Sequence, residues 1–174
     1  AADGARQQIA HIPRTGLRTP RQHPEKLIGW ASVDPGEPDA IDQLRHAVEG
    51  LGLRGLKLGP AYQHFDPTDR AVWPFFAEVE RLGIPTIWHQ GTTFPSQARL
   101  RISTPLWLED LAMAFPAMRM IVAHLGHPWE EDLVALVRKV MAGDTLFIND
   151  FSTAGGAGAL TLAPALSGHI LSRT

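Results

Sequence analysis

From residue 27 to residue 148 the chain switches repeatedly between two hydrophobic periods. Residues 27–33 (LIGWASV) form a short apolar run closed by Asp34-Pro35-Gly36, the pattern of a strand and its turn. Ile41, Leu44, Val48 and Leu51 then recur at helical spacing, and Gly50 and Gly52 end that segment. A strand is predicted over 53–58, broken by Gly59-Pro60. It is followed by a helix with Val72, Phe75, Phe76, Val79 and Leu82 on one face and Gly83 at its end. A strand over 84–89 comes next, then a helix with Thr104 as N-cap, Pro105 as first residue and a stripe of Leu108, Leu111, Ala112 and Phe115. A strand over 120–124 leads to a helix opened by Glu130, Glu131 and Asp132, acids that favour its positive end, with Leu133, Leu136, Val137 and Val140 on its buried side. Residues 146–148 read as another strand. Residues 154–167, rich in Gly and Ala, admit only a short or broken helix, and 169–172 form a last short strand.

Six short strands separated by helices require parallel pairing with right-handed crossovers. The strands are apolar throughout, as expected where helices cover them. A doubly wound open sheet and a (β/α)8 barrel both fit this string, and the placement of polar residues decides between them. His89 and His124 end the strands at 84–89 and 120–124, Lys57 stands near the end of 53–58, and Asn149-Asp150 close 146–148. In a TIM barrel the C-terminal strand ends converge on one mouth, so residues distant in sequence become neighbours there. The expected fold is therefore α/β, of (β/α)8 TIM-barrel type. Residues 1–174 form a single unit, with 1–23 as an N-terminal segment and 24–174 as βα units.

Composition narrows the chemistry. A net charge of −2 offers no field to hold nucleic acid or an anionic membrane. Cysteine is absent, so thiolate metal sites, disulfides and cysteine nucleophiles are excluded, and any metal must be held by His, Asp or Glu. No apolar run approaches the ~18 residues of a membrane span. The first twenty residues lack the apolar centre of a signal peptide, which makes a cytoplasmic location the expectation. Neutral imidazole is a common ligand for divalent ions. One histidine at a strand end is more often a hydrogen-bonded structural residue, but two on adjacent strands, each followed two residues later by Gly, point to function.

The segments EKLIGWASVDPG, GLKLGP, IPTIWHQGTTF, PLWLEDLAMAFP, MIVAHLGHPWEEDLVALVRK and FINDFS, in that order over about residues 24 to 152, resemble the amidohydrolase-related family. That group is similar to aminocarboxymuconate semialdehyde decarboxylase and to related aromatic-acid decarboxylases and lactone hydrolases. The resemblance implies a distorted (β/α)8 barrel with one divalent metal ion, zinc first and manganese as the alternative. It implies that His89 is the metal ligand from the fifth barrel strand. His124, from the sixth, is the catalytic base that activates metal-bound water or handles a proton in decarboxylation. Gly91 and Gly126 match positions where the backbone turns sharply beside the metal. Lys57 falls where binuclear relatives place a carboxylated lysine and is expected here to bind substrate or to stand just behind the site, with a salt-bridged structural lysine as the equal alternative. His64, His127 and Trp129 are further candidates for substrate contact. The partner is a small-molecule substrate, with homo-oligomerisation open.

The chain also departs from that pattern. His11 has no histidine two residues on, since Pro13 stands there, and no Gly-Ser/Thr-Asp-like segment supplies the family's final aspartate. A complete barrel takes ~250 residues, so about six of eight strands, numbers 3 to 8, are expected here. Two other readings compete. One is a catalytically incomplete fragment or remnant that acts by association, and the other a Schiff-base aldolase with Lys57 as nucleophile. His23 and His46 are expected at the surface, and His169 has no context.

Overall fold

The computed structural model describes residues 27–140 and 146–149. The expectations for His11, His23, Asp150, His169, the broken helix at 154–167 and the strand at 169–172 lie outside the described residues. The element order is α1 (Ala40–Arg45), β1 (Leu56–Leu58), α2 (Pro60–Gln63), α3 (Trp73–Leu82), β2 (Thr86–Trp88), α4 (Leu108–Ala114), β3 (Met120–Ala123), α5 (Glu130–Val140) and β4 (Leu146–Asn149). A π-helical turn, His46–Gly50, continues α1. Pro74 sits in the first turn of α3, where its missing N–H costs nothing, and Gly83 ends that helix with φ 63°.

The strands pair in parallel in the order β1-β2-β3-β4. Leu56, Thr86, Met120 and Leu146 share one register line. A doubly wound sheet reverses its strand order at a switch point. Here each strand joins the next in sequence, which is the order of a barrel wall. No described helix is long and apolar enough to cross a membrane.

Two predicted elements come out differently. The strand expected over 27–33 is reduced to one parallel bridge, Ala31 to Leu56. Ala31 N–H donates to Gly55 O at 2.8 Å and Lys57 N–H to Ala31 O at 2.7 Å. Leu27 and Ile28 are exposed, so no burial extends the pairing in that direction. Helix α4 begins at Leu108 rather than behind Thr104. Pro105 is buried against Gly126 instead, and the Trp107 indole donates to Ile102 O at 3.2 Å, so this stretch anchors a loop.

Burial alternates along β1, β2 and the first three residues of β3. Leu56, Leu58, Thr86, Trp88, Met120 and Val122 are buried, whereas Lys57, Ile87 and Ile121 are half-buried. Helices therefore cover one face, and the other is the inner wall of the barrel. The covered face packs on Phe76 of α3, whose ring lies 5.6 Å from Trp88, and Trp88 lies 5.1 Å from Trp107.

Candidate active site

His89 is the first residue beyond β2. Its N–H donates to Leu58 O at 2.9 Å, which pins the start of the loop to the end of β1. Strand alternation puts its side chain on the inner face with Lys57 and Ile87. His124 is the first residue beyond β3 and adopts a left-handed conformation, φ 62°. The reversal continues through Leu125 and Gly126, at φ 50° and 66°, and is closed by His127 N–H to His124 O at 2.9 Å. The His89 and His124 rings meet edge to face, with centroids 4.9 Å apart.

The glycine after His89 has a steric cause. Gly91 has φ 99°, and a Cβ there would lie 2.4 Å from the His127 carbonyl oxygen. That oxygen accepts from Thr92 N–H at 2.8 Å. The loops after β2 and β3 are thus sewn together just beyond the two imidazoles.

Helix α2 adds a residue that the sequence reading passed over. The Tyr62 hydroxyl lies 3.2 Å from His89 Nε2, and the two rings pack edge to face at 4.7 Å. Gln63 fixes the helix: its Oε1 accepts from Gly59 N–H at 2.7 Å and its Nε2 donates to Val33 O at 2.9 Å. Sequence periodicity carries no sign of either role.

Burial, the Lys57 ammonium and His124 together hold the His89 pKa down to about 4, against a backbone hydrogen bond at Thr92. His89 is therefore a neutral electron-pair donor at pH 7. Burial also lowers Lys57 to about 8, and its ammonium donates to Leu58 O at 3.2 Å. Burial raises the Tyr62 phenol, which keeps its proton. The donor type and charge state fit a divalent-ion ligand. Among the described residues no three His, Cys, Asp or Glu gather as a metal site, so further donors would have to come from elsewhere.

The structure brings His89, His124 and Tyr62 together, with Lys57 close enough to act on His89 electrostatically. His64 is exposed and caps α2 in a left-handed conformation, φ 60°. The His127 side chain is also exposed and hydrogen-bonds Glu130. Trp129 is half-buried, and its carbonyl accepts from Leu133 N–H at 3.0 Å at the start of α5. His46 is at the surface, as expected. A cavity of about 470 Å³ opens where Leu53, Arg54, Ile84 and Arg119 precede the strands, at the opposite end from the histidines.

The sequential parallel sheet with a polar cluster at its C-terminal mouth defines a protein of the (β/α)-barrel class. Residues 17–142, well over half of the chain, match the amidohydrolase family, and the chain belongs to that family. It is 26% identical over 121 residues to gamma-resorcylate decarboxylase of Rhizobium radiobacter, a match covering 62% of this chain and 37% of that protein. The chain thus spans little more than a third of the length of the curated relatives it matches. Its fold is similar to that of an uncharacterized TIM-barrel protein from Bordetella bronchiseptica, with TM-score 0.65, 20% identity, and 76% of this chain and 46% of that one covered. It is similar too to 5-carboxyvanillate decarboxylase from Novosphingobium aromaticivorans, solved with manganese and a methoxy-hydroxy-nitrobenzoic acid bound. That match has TM-score 0.59, 17% identity, and 85% and 50% coverage.

Proposed function

We propose that this chain carries part of the active site of a metal-dependent decarboxylase or hydrolase for a small carboxylated, cyclic or aromatic compound. His89 is a ligand of one divalent ion, zinc or manganese, and His124 is the base. The observation that carries the reading is the His89–His124 pair, two imidazoles 4.9 Å apart at adjacent strand ends, with His89 held neutral. The decarboxylase names of the relatives support the substrate class.

Each residue has a separate task. A divalent ion, when bound, supplies Lewis-acid polarisation of an oxygen at the reacting group. His89 contributes a neutral nitrogen toward holding it. Lys57 is protonated at pH 7 and pairs with a substrate carboxylate on the inner face, a charge-assisted contact. In decarboxylation the carbon–carboxylate bond breaks, carbon dioxide leaves, and His124 delivers a proton to the ring carbon. In hydrolysis His124 instead takes a proton from the attacking water. His64, His127 and Trp129 supply contacts at the rim.

The test is turnover of carboxylated aromatic acids by the intact protein that contains this chain, with the His124→Ala and His89→Ala variants. The reading expects His124→Ala to keep its metal and lose turnover, and His89→Ala to lose both. Unchanged turnover in both variants would sink it. One observation favours a second reading. Lys57, at about 8, is an amine near neutrality, which suits a Schiff-base nucleophile. Borohydride trapping of a carbonyl compound on Lys57 would establish it, and a Lys57→Met protein trapped equally well would remove it. Homo-oligomerisation belongs to the same proposal, with sedimentation velocity of the intact protein as its check.

A further inference from the structure

Tyr62 is the chain's only tyrosine. Its hydroxyl lies 3.2 Å from His89 Nε2, and its ring stands edge-on to the imidazole. The imidazole has a second polar neighbour, the Thr92 backbone, whose hydrogen bond favours a proton on the ring. A neutral imidazole has one N–H and one lone pair. Nε2 faces the Tyr62 hydroxyl, so a ring that carries its proton on Nδ1 turns its lone pair toward Tyr62. Tyr62 then donates to that lone pair.

We propose that Tyr62 caps His89: in the metal-free chain its hydroxyl occupies the electron pair that His89 would offer a divalent ion, and it must release that pair for the ion to bind. This rests on the reading of His89 as a ligand. The sequence around Tyr62 is built for the approach. A Cβ on Gly59 would lie 3.0 Å from the Tyr62 ring, so a larger residue there would press on Tyr62, while its 3.7 Å approach to the His89 Cβ is ordinary contact. Gln63 ties α2 to Val33 and Gly59, which leaves rotation of the Tyr62 side chain as the simplest release. Loading of the site is thereby coupled to the turn between β1 and α2.

The experiment uses the intact protein that contains this chain and its Tyr62→Phe variant, which keeps the ring packing and removes only the hydroxyl. Histidine ring nitrogens are read by 15N NMR without metal, and zinc affinity by competition with a chelating dye. The expected wild-type result is one His89 tautomer with its proton on Nδ1 and Nε2 shifted by an accepted hydrogen bond. In Tyr62→Phe, Nε2 should move to the shift of an unbonded lone pair, the tautomer should persist, and zinc should bind about fivefold more tightly, the loss of one competing hydrogen bond. Zinc should also perturb the Tyr62 signal of the wild type. A proton on Nε2, or an unmoved Nε2 shift in the variant, overturns the cap with the ligand reading intact. Weaker zinc binding by the variant also overturns it, making Tyr62 a support for the bound state. A folded wild type that binds no zinc overturns the ligand reading first, and the cap with it.

Discussion

On the helix side of the sheet, Leu58, Trp88 and Val122 sit at one register level and are buried beneath α3, α4 and α5. On the inner side, one residue earlier or later, Lys57, Ile87, Ile121 and His89 are half-buried. The same strands thus carry an apolar layer and a polar, electrostatically costly one. Burying Lys57 and His89 pushes both toward their neutral forms, a cost the helix side offsets through packed aromatics. The two-residue period of the strand thus separates the packed layer from the layer that holds the proposed site.

Substitutions on the two faces should separate in the same way. His124→Ala should reduce turnover of the intact protein by about 10²- to 10⁴-fold, the range for a lost acid–base group, with little change in the unfolding midpoint. Trp88→Ala should do the reverse in kind, costing about 3–5 kcal/mol in denaturant unfolding, because it opens a cavity between Phe76 and Trp107. If Trp88→Ala were as stable as the wild type, the helix side would not be the stabilising layer.

Lys57→Met should cross the divide by raising stability while weakening substrate. Its folded pKa, about 8, lies below the ordinary 10.5, so between those values the unfolded chain binds more protons and stability rises with pH. At pH 7 the charged amine is held in a partly desolvated site, and its removal should stabilise the fold by about 1–2 kcal/mol. KM for a carboxylated substrate should increase in the variant, and in the wild type should climb as pH passes through 8. A Lys57→Met protein less stable than the wild type would contradict the burial argument.

The smallest effect belongs to neither sheet face. Glu78 on α3 accepts from Arg45 at 2.7 Å and from Arg81 at 2.7 and 2.9 Å, and these two guanidiniums hold its carboxyl down to about 2. The stability it contributes is present above the ordinary carboxylate pKa of 4.5 and is lost as pH falls from there toward 2. Both arginines are about half exposed, so Glu78→Gln should cost only about 1 kcal/mol at pH 7 and flatten the acid limb of the stability profile. An unchanged acid limb would remove the triad from the account.

Local signals made the wall of the fold legible. The strands at 53–58, 84–89, 120–124 and 146–148 are all present, most of them shorter than predicted, because apolar runs between Gly and Pro stops are set by nearby residues. The positions of His89 and His124 followed from where those strands end. The bridge at Ala31 depends on what packs beside it, and the start of α4 depends on Pro105 reaching Gly126, neither of which periodicity encodes. Tyr62 stayed hidden for the same reason. Its partner, His89, is 27 residues away and reached only because α2 folds back over the end of β1.

The central claim is that His89 offers a neutral nitrogen to a divalent ion at the mouth of this barrel wall. Metal uptake by the intact protein that contains this chain, measured by mass spectrometry after equilibration with zinc or manganese, tests it most directly when wild type and His89→Ala are compared at matched fold by circular dichroism. About one ion per wild-type chain, lost in His89→Ala, is the expected result. Equal uptake by both, or none by a folded wild type, would contradict it.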